Sequence, residues 1–355
     1  MNTEISTKGN TQVKETANND PVKARVDFVL VFSVENANPN GDPGYDNRPR
    51  TDAYTGIGYV TDVCIKRKIR NRIETMKELS DGYDIWVRSG TYLRESLGDA
   101  IKEIQEEDGY QSIDEKDRKA LEKYERRRIC EKFFDIRTFG GVLTSDSESG
   151  EEEDAESGSG KGKNKGGNKA KSKVGQVRGP VSIQYAKSVT PIVVEDDEIT
   201  RCCPTKPDPK KPNKRTEMGR KKRVPFAIYV TKGSISARLA EGEKGTGFSN
   251  GDLNLLKEVM KTLFLNDEST ARPIGSMIMQ KGIFFTHNSK DGDEAVHKTL
   301  NRLSVEFVGK VENGIKIDRP EKARDMGCYK VWLDKTDLPT VVKIEEFGDY
   351  GPINN

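Results

Sequence analysis

Apolar residues along this chain come in short bursts between long polar stretches. The densest burst is residues 26–34, Val-Asp-Phe-Val-Leu-Val-Phe-Ser-Val. It is β-branched and aromatic, and apolar at consecutive positions, so it predicts a central strand covered on both faces. The turn-forming run Asn36–Pro43 ends it. No periodicity follows until about Tyr59, and the chain there reads as a loop of roughly 20 residues or more, a length associated with function or disorder. Thr61 or Asp62 then caps a helix running to about Glu78. Ile65, Ile69, Ile73 and Met76 line one of its faces, with Lys66, Arg67, Arg70 and Lys77 off that stripe.

Two further helices are predicted near 92–105 and 114–133, then a strand over 133–143 broken at Gly140-Gly141. Beyond Val177, the alternation of Val181, Ile183 and Tyr185 with polar neighbours predicts a strand. Residues 224–230 and 235–239 read as a strand pair joined near Lys232-Gly233. Ser249 introduces a helix over 253–265, and 282–286, 304–308 and 329–333 are strand candidates. Such irregular interleaving favours an α+β fold over a doubly wound sheet. No long internal repeat is visible.

Composition changes the picture in places. Of the 355 residues, 33% are apolar (without Gly) and 33% charged, against roughly 45–50% (counting Gly) and about 25% in ordinary globular domains. Part of the chain is therefore solvated. Residues 1–24 are polar and read as a disordered arm without a secretory leader. Residues 145–174 are low in complexity, first acidic with Ser and Gly, then Lys- and Gly-rich, and read as a disordered loop. Residues 201–223 read as a basic, Pro- and Lys-rich loop. The remainder of 25–355 is expected to form a single domain with insertions. The longest clean apolar run, Phe28–Phe32, is far short of the roughly 20 residues that span a bilayer. No membrane partner is expected, and the location expected is cytoplasmic.

Five cysteines and two histidines leave little material for a zinc site or a histidine base. No P-loop, dinucleotide fingerprint, nucleophile elbow or H-E-x-x-H motif occurs. No cofactor, metal or catalytic residue is assigned. Three basic groupings remain. Lys66, Arg67, Lys68, Arg70 and Arg72 crowd one helix, with Arg48 and Arg50 in the preceding loop. A polyanion site needs several cations in fixed relation; the alternative is a solvated helix face. Gly175-Gln176-Val177-Arg178-Gly179-Pro180 places an Arg between glycines that permit close approach of a ligand; the alternative is a turn with an exposed Arg. Met218-Gly219-Arg220-Lys221-Lys222-Arg223 is either a cationic loop tracking a backbone or a solvated linker. Asp42 lacks an evident catalytic partner, and the acidic cluster Asp196, Asp197 and Glu198 reads as solvent-facing.

Several segments together resemble a known family. Asn40-Gly41-Asp42-Pro43, Asn47-Arg48-Pro49-Arg50-Thr51-Asp52 and the run Gly58–Asn71 resemble the opening of the backbone subunit of type I-C CRISPR Cascade complexes, in the Cas-seven superfamily. Phe139-Gly140, Gly175–Val181 and Ala186–Ile192 resemble its middle. Met218–Lys221, Val224-Pro225-Phe226 and Thr246–Ser249 resemble its later part. The resemblance implies a βαββαβ palm like an RNA-recognition (ferredoxin-like) fold, with inserted finger and thumb elements. It implies a non-catalytic subunit whose copies polymerise along guide RNA and present it to a target DNA strand in antiviral defence. The partners implied are further copies of the chain, large and small Cascade subunits, and a Cas-five-type subunit. Carried over by position, Asn40, Arg48, Arg50, Lys66, Arg67, Arg70, Gln176, Arg178, Gly179, Arg220 and Lys221 would contact the RNA. Two alternatives stand beside this: a metal-dependent ribonuclease of the type III backbone kind using the loop residue Asp42, and a general nucleic-acid scaffold.

Overall fold

The computed structural model describes residues 19–143, 174–206 and 215–348. In chain order the elements are β1 (Val26–Ala37), β2 (Gly41–Asp42), β3 (Arg48–Pro49), β4 (Ile57–Val60), α1 (Asp62–Lys77), α2 (Leu93–Gln105), α3 (Asp108–Gln111), α4 (Arg118–Lys132), α5 (Phe134–Phe139), β5 (Gly140–Leu143), β6 (Gly175–Arg178), β7 (Val181–Ile183) and β8 (Ala186–Pro191). There follow β9 (Glu195–Arg201), β10 (Glu217–Ile235), α6 (Ala237–Ala240), α7 (Asn250–Lys261), β11 (Met277–Thr286), α8 (Val296–Asn301), β12 (Leu303–Phe307), β13 (Lys310–Glu312), β14 (Ile315–Ile317), β15 (Tyr329–Leu333) and β16 (Lys343–Phe347). The expected α+β class holds: a central sheet with helices beside it. The chain divides into two compact units, Met1–Val22 with Ile73–Pro180 and Ala237–Gly251, and Lys23–Arg72 with Val181–Ser236 and Asp252–Asn355.

The second unit holds an antiparallel sheet in the order β16-β11-β1-β10-β8-β4, with β7 and β9 also pairing with β10. β1 lies inside it, as its sequence predicts. Every residue from Val26 to Val34 is buried, because alternate side chains point to opposite faces and both faces are covered. On one face Phe32 stacks on Tyr229 at 5.5 Å between ring centroids, with Phe264 at 5.2 Å and Phe28 against Phe284 at 5.7 Å. On the other, Val29, Val31, Ile283 and Phe285 pack with Leu300, Leu303, Cys328, Tyr329 and Leu333. The last five come from the segment that carries the β12–β15 ribbon.

One charge sits in β1. Asp27 is fully buried, and its carboxylate accepts from Arg25 Nε at 3.0 Å and lies 3.0 Å from His287 Nε2. The backbone N–H of Asp293 donates to His287 Nδ1 at 3.0 Å. His287 Nε2 also lies 3.1 Å from Arg25 NH2, so the three side chains form one buried cluster. A buried carboxylate needs such partners, and this is the role of a histidine to which the sequence assigns none.

α1 follows its cap. Thr61 Oγ1 accepts from Cys64 N at 3.3 Å, and Asn40 Oδ1 accepts from both Thr61 N and Thr61 Oγ1 at 3.0 and 3.1 Å. Ile65, Ile69 and Ile73 are buried, but Met76 is 38% exposed and leaves the stripe.

The first unit is built on α2, α4 and α5. Leu97, Ile101 and Ile104 pack with Ile129, Phe133, Ile136, Trp86, Leu143 and Val177. The stretch expected as a strand over 133–143 is instead α5 followed by β5. An apolar run this short does not distinguish helix from strand; within α5 the Asp135 carboxylate accepts from Trp86 N at 2.9 Å and Val87 N at 3.1 Å, which ties the helix to 86–87.

Other expectations are corrected. The long loop after β1 contains the β2–β3 ribbon and the edge strand β4. The strand pair expected around Lys232-Gly233 is one continuous strand, β10, and 237–240 is helical. Gly233 makes no turn: a Cβ there would lie 2.2 Å from Phe28 Cζ and 2.5 Å from Ser182 O, so a flat strand residue is required. The end of the basic loop expected over 201–223 is strand from Glu217 on. At the end of the expected arm, Val22 is buried and donates to Phe248 O at 3.0 Å. Residues 1–18 of that arm and 144–173 of the low-complexity stretch lie outside the described residues, and Val174 is buried. Among the described residues no helix is long and apolar enough to cross a membrane.

Because Phe32 is 2% exposed and ringed by aromatics, Phe32→Ala is expected to lower unfolding stability by about 3–5 kcal/mol. Urea denaturation checks this; a loss within about 1 kcal/mol would show that β1 is not the centre of the core.

Candidate nucleic-acid interface

In the sheet-bearing unit, the cations of α1 divide by helical geometry. Lys68 and Arg72 are four residues apart and share one face. Lys68 is buried, ion-paired with Asp267 and 5.7 Å from the Phe264 ring centroid. Burial pulls its ammonium below the ordinary lysine range, and Asp267 opposes the shift. Arg72 donates to Thr262 Oγ1 and Asn266 Oδ1, each at 3.0 Å. These two cations fasten the helix to 262–267. Lys66, Arg67 and Arg70 remain half-buried on the other side. Lys66 meets Asp62 at 3.0 Å one turn earlier, a half-buried pair at four-residue spacing on the helix.

The loop residues are held from below. Asn40 serves the N-terminus of α1, as above. Arg50 pairs with Asp42 Oδ2 at 3.1 Å. The other Asp42 oxygen accepts from Gly44 N at 3.1 Å. Asp42 is therefore a turn cap and a counter-ion for Arg50. Arg48, on the rim, reaches Asp196 at 3.1 Å.

The basic run 220–223 is not a free loop. It is the first part of β10, zipped to the acidic strand β9 in the register Arg220↔Glu198, Lys221↔Asp197, Lys222↔Asp196 and Arg223↔Glu195. Cross-strand opposite charges stabilise such a ribbon. Arg223 reaches Asp197 and Glu195 at 2.6 Å each, and those carboxylates hold its guanidinium above its ordinary range. Lys222 reaches Asp46 at 2.7 Å. Arg220 and Glu198 are 3.8 Å apart, and Arg220 stays largely exposed. The cluster Asp196–Glu198, expected to face solvent, is thus the partner of the basic run. Sequence reading misses this because the pairing is long-range. A cleft of about 630 Å³ runs beside this ribbon, lined by Asn38, Asn47, Glu198, Arg220, Lys221 and Lys222 among others.

In the other unit, β6 alternates outward Gln176 and Arg178 around a buried Val177. Arg178 makes no ion pair among the described residues, whereas the Gln176 carbonyl accepts from Arg126 NH1 at 3.0 Å. The flanking glycine is spent on the fold itself. A Cβ on Gly179 would lie 2.3 Å from Phe139 C and 2.5 Å from Thr138 O, and one on Gly140 (φ +74°) 2.3 Å from Val177 O. The close approach read from the sequence is thus of chain to chain at the β5–β6 crossing.

The aromatic pair Tyr59–Tyr185 also escaped sequence reading. The rings stack at 5.9 Å between centroids and 13° between planes, on strands β4 and the approach to β8. Tyr59 and Lys187 are paired across the ladder.

Among the described residues no group of three or more His, Cys, Asp or Glu side chains could hold a metal ion. Cations held in fixed relation on strands and a helix define a candidate polyanion-binding surface. A family model described as CRISPR-associated protein Cas7 matches residues 24–334, and the chain belongs to that family. It is similar to a CRISPR-associated protein Cas7 of Haloferax volcanii, 31% identical over 133 residues that cover 36% of this chain. The chain spans about a third of that curated relative, 35% of its length. Two solved chains are more distant. One, from a CRISPR RNA-guided surveillance complex in a pre-nicking state, has a TM-score of 0.39 at 15% identity, covering 74% of this chain and 78% of that one. The other, from a CRISPR RNA-guided surveillance complex, has a TM-score of 0.38 at 12% identity, covering 74% and 68%. Likenesses this distant carry no argument.

Gly179→Ala is expected to lower the stability of the folded protein by about 1–3 kcal/mol, read as a falling denaturation midpoint. An unchanged midpoint would show that the β5–β6 crossing is looser than its geometry.

Proposed function

We propose that this chain is a non-catalytic, guide-RNA-binding backbone subunit of a type I-C Cascade complex. The observation that carries this reading is the match of residues 24–334 to the Cas7 family. Its sheet is the palm of an RNA-recognition-like fold, the β9–β10 ribbon and the α2–α5 unit being its finger and thumb insertions. Copies polymerise along the guide and present it to a target DNA strand, so that pairing reads the sequence and protein holds the backbone. Large, small and Cas-five-type subunits complete the particle.

Within this reading the residues divide by the element that carries them. Lys66, Arg67 and Arg70 grip guide phosphates from α1. Arg178 does so from β6, with Gln176 beside it on the same outward face and Gly179 offering its backbone. Arg220 and Lys221 act from the ribbon, where carboxylates already neutralise much of the charge. Arg48 and Arg50 exchange their carboxylate partners for phosphate or remain paired, and Asn40 sets the start of α1. The ribonuclease alternative finds no support: the Asp42 carboxylate is committed to Arg50 and Gly44.

The salt dependence of RNA binding tests the phosphate assignment. Each lost phosphate contact on a single strand flattens the slope of log K against log salt by about 0.7. Arg178→Ala is therefore expected to flatten it by about one such step, and Lys66→Ala with Arg70→Ala by about two. Slopes unchanged in both would refute the assignment.

A further inference from the structure

The sheet of the second unit is covered on both faces at its centre but on one face only at its β4 edge. Val60, Ala186 and Ser188 are buried on the covered face. On the opposite face of the same strands lie Tyr59, Tyr185 and Lys187. Tyr185 is 49% exposed, and Lys187 is exposed. The two rings are nearly parallel, and the register sets Lys187 directly across from Tyr59. The nearby carboxylate, Asp52, is already engaged by Thr55 N and Thr55 Oγ1 at 2.8 Å each and by Tyr54 N at 3.1 Å. Tyr59 N donates to Arg50 O at 3.0 Å, which makes the patch continuous with the cationic segment Arg48–Arg50.

We infer that Tyr59, Tyr185 and Lys187 form a stacking platform for an unpaired nucleobase, with the base on the tyrosine pair and the adjoining phosphate at Lys187. The inference rests on the RNA-binding reading above and adds a site to it. Three features point to a nucleic-acid occupant. A flat ring surface left half in water suits any base, since every base has a π-face. Single-stranded RNA is bound through unstacked bases laid on aromatic side chains. A cation one ladder position away supplies the complementary charge. A protein partner would instead favour a broader apolar surface, and the neighbours Gln184 and Lys187 are polar and exposed.

The test uses the full-length protein and single-stranded oligonucleotides carrying one 2-aminopurine, made once as RNA and once as DNA. Stacking quenches the probe. Tyr185→Ala is expected to weaken binding about tenfold and to abolish the quench, with the salt slope unchanged. Tyr185→Phe keeps the ring and is expected to retain both. Lys187→Ala is expected to flatten the salt slope by about 0.7 while leaving the quench. Equal melting temperatures of the variants exclude a folding effect at this half-exposed position. Quenching by the RNA strand assigns the platform to the guide; quenching by the DNA strand alone assigns it to the target, and either supports the site. If the wild-type protein binds RNA and Tyr185→Ala binds and quenches equally, the platform is refuted while the RNA-binding reading stands. If Tyr185→Ala binds RNA normally but loses assembly with partner subunits, the face is a protein-docking surface and the inference falls. If the wild-type protein binds neither strand, the RNA-binding reading itself fails.

Discussion

The burial of β1 on both faces is the constraint from which the sheet-bearing unit is built. A strand apolar at consecutive positions has no side to give to water. Something must therefore cover each face, and the chain supplies different material for each. Phe264, just past α7, comes against Phe32 on one side, and the segment carrying α8, β12 and β15 packs on the other. The two strands that sandwich β1, β10 and β11, are accordingly long. Inside this core Asp27 is partnered through Oδ2 by Arg25 and His287, which ties the start of β1 to the residue after β11. Toward β4 the cover on one face runs out, and there the exposed side chains are aromatic and cationic.

Charge is distributed by a second rule: most cations that look available in the sequence are already partnered. Lys68 and Arg72 fasten α1 to the loop after α7. Arg50 answers Asp42, Lys222 answers Asp46, and Arg223 answers Glu195 and Asp197. The near balance of 60 Lys and Arg against 58 Asp and Glu, a net charge of +2, supplies a carboxylate for most of these cations. At the ribbon, carboxylates already neutralise the cations, whereas Arg178, in the other unit, makes no ion pair among the described residues. This difference ranks the candidate contacts in a way that residue type alone does not.

Local periodicity carried much of the fold. β1, α1, α2, α4 and β15 are readable because their apolar spacing fixes both element type and buried face. What failed was decided by distant residues. β10 begins in a run of Arg and Lys that no local rule reads as strand, and it is one because the acidic strand β9 lies against it. The stretch 134–139 is helical although so short an apolar run reads equally well as strand, and Asp135 ties it to the backbone of 86–87. Gly233 and Gly179 signal turns or ligand approach by composition, yet each is required by a neighbour within the fold, the Phe28 ring in one case and the Phe139–Gly140 backbone in the other. For the candidate interface, the basic segments were legible as segments, but not which of their cations point inward. The Tyr59–Tyr185 pair was not legible at all, since the two rings lie far apart in sequence and meet only through the β4–β8 ladder.

The central claim is that this Cas7-family chain holds guide RNA as a polymerised backbone. The most direct measurement is to co-express it with its neighbouring complex genes and a guide array, then size the purified particle and extract its nucleic acid. The account predicts a large particle containing one discrete guide-length RNA that is protected from ribonuclease. A small, RNA-free protein under those conditions would contradict it.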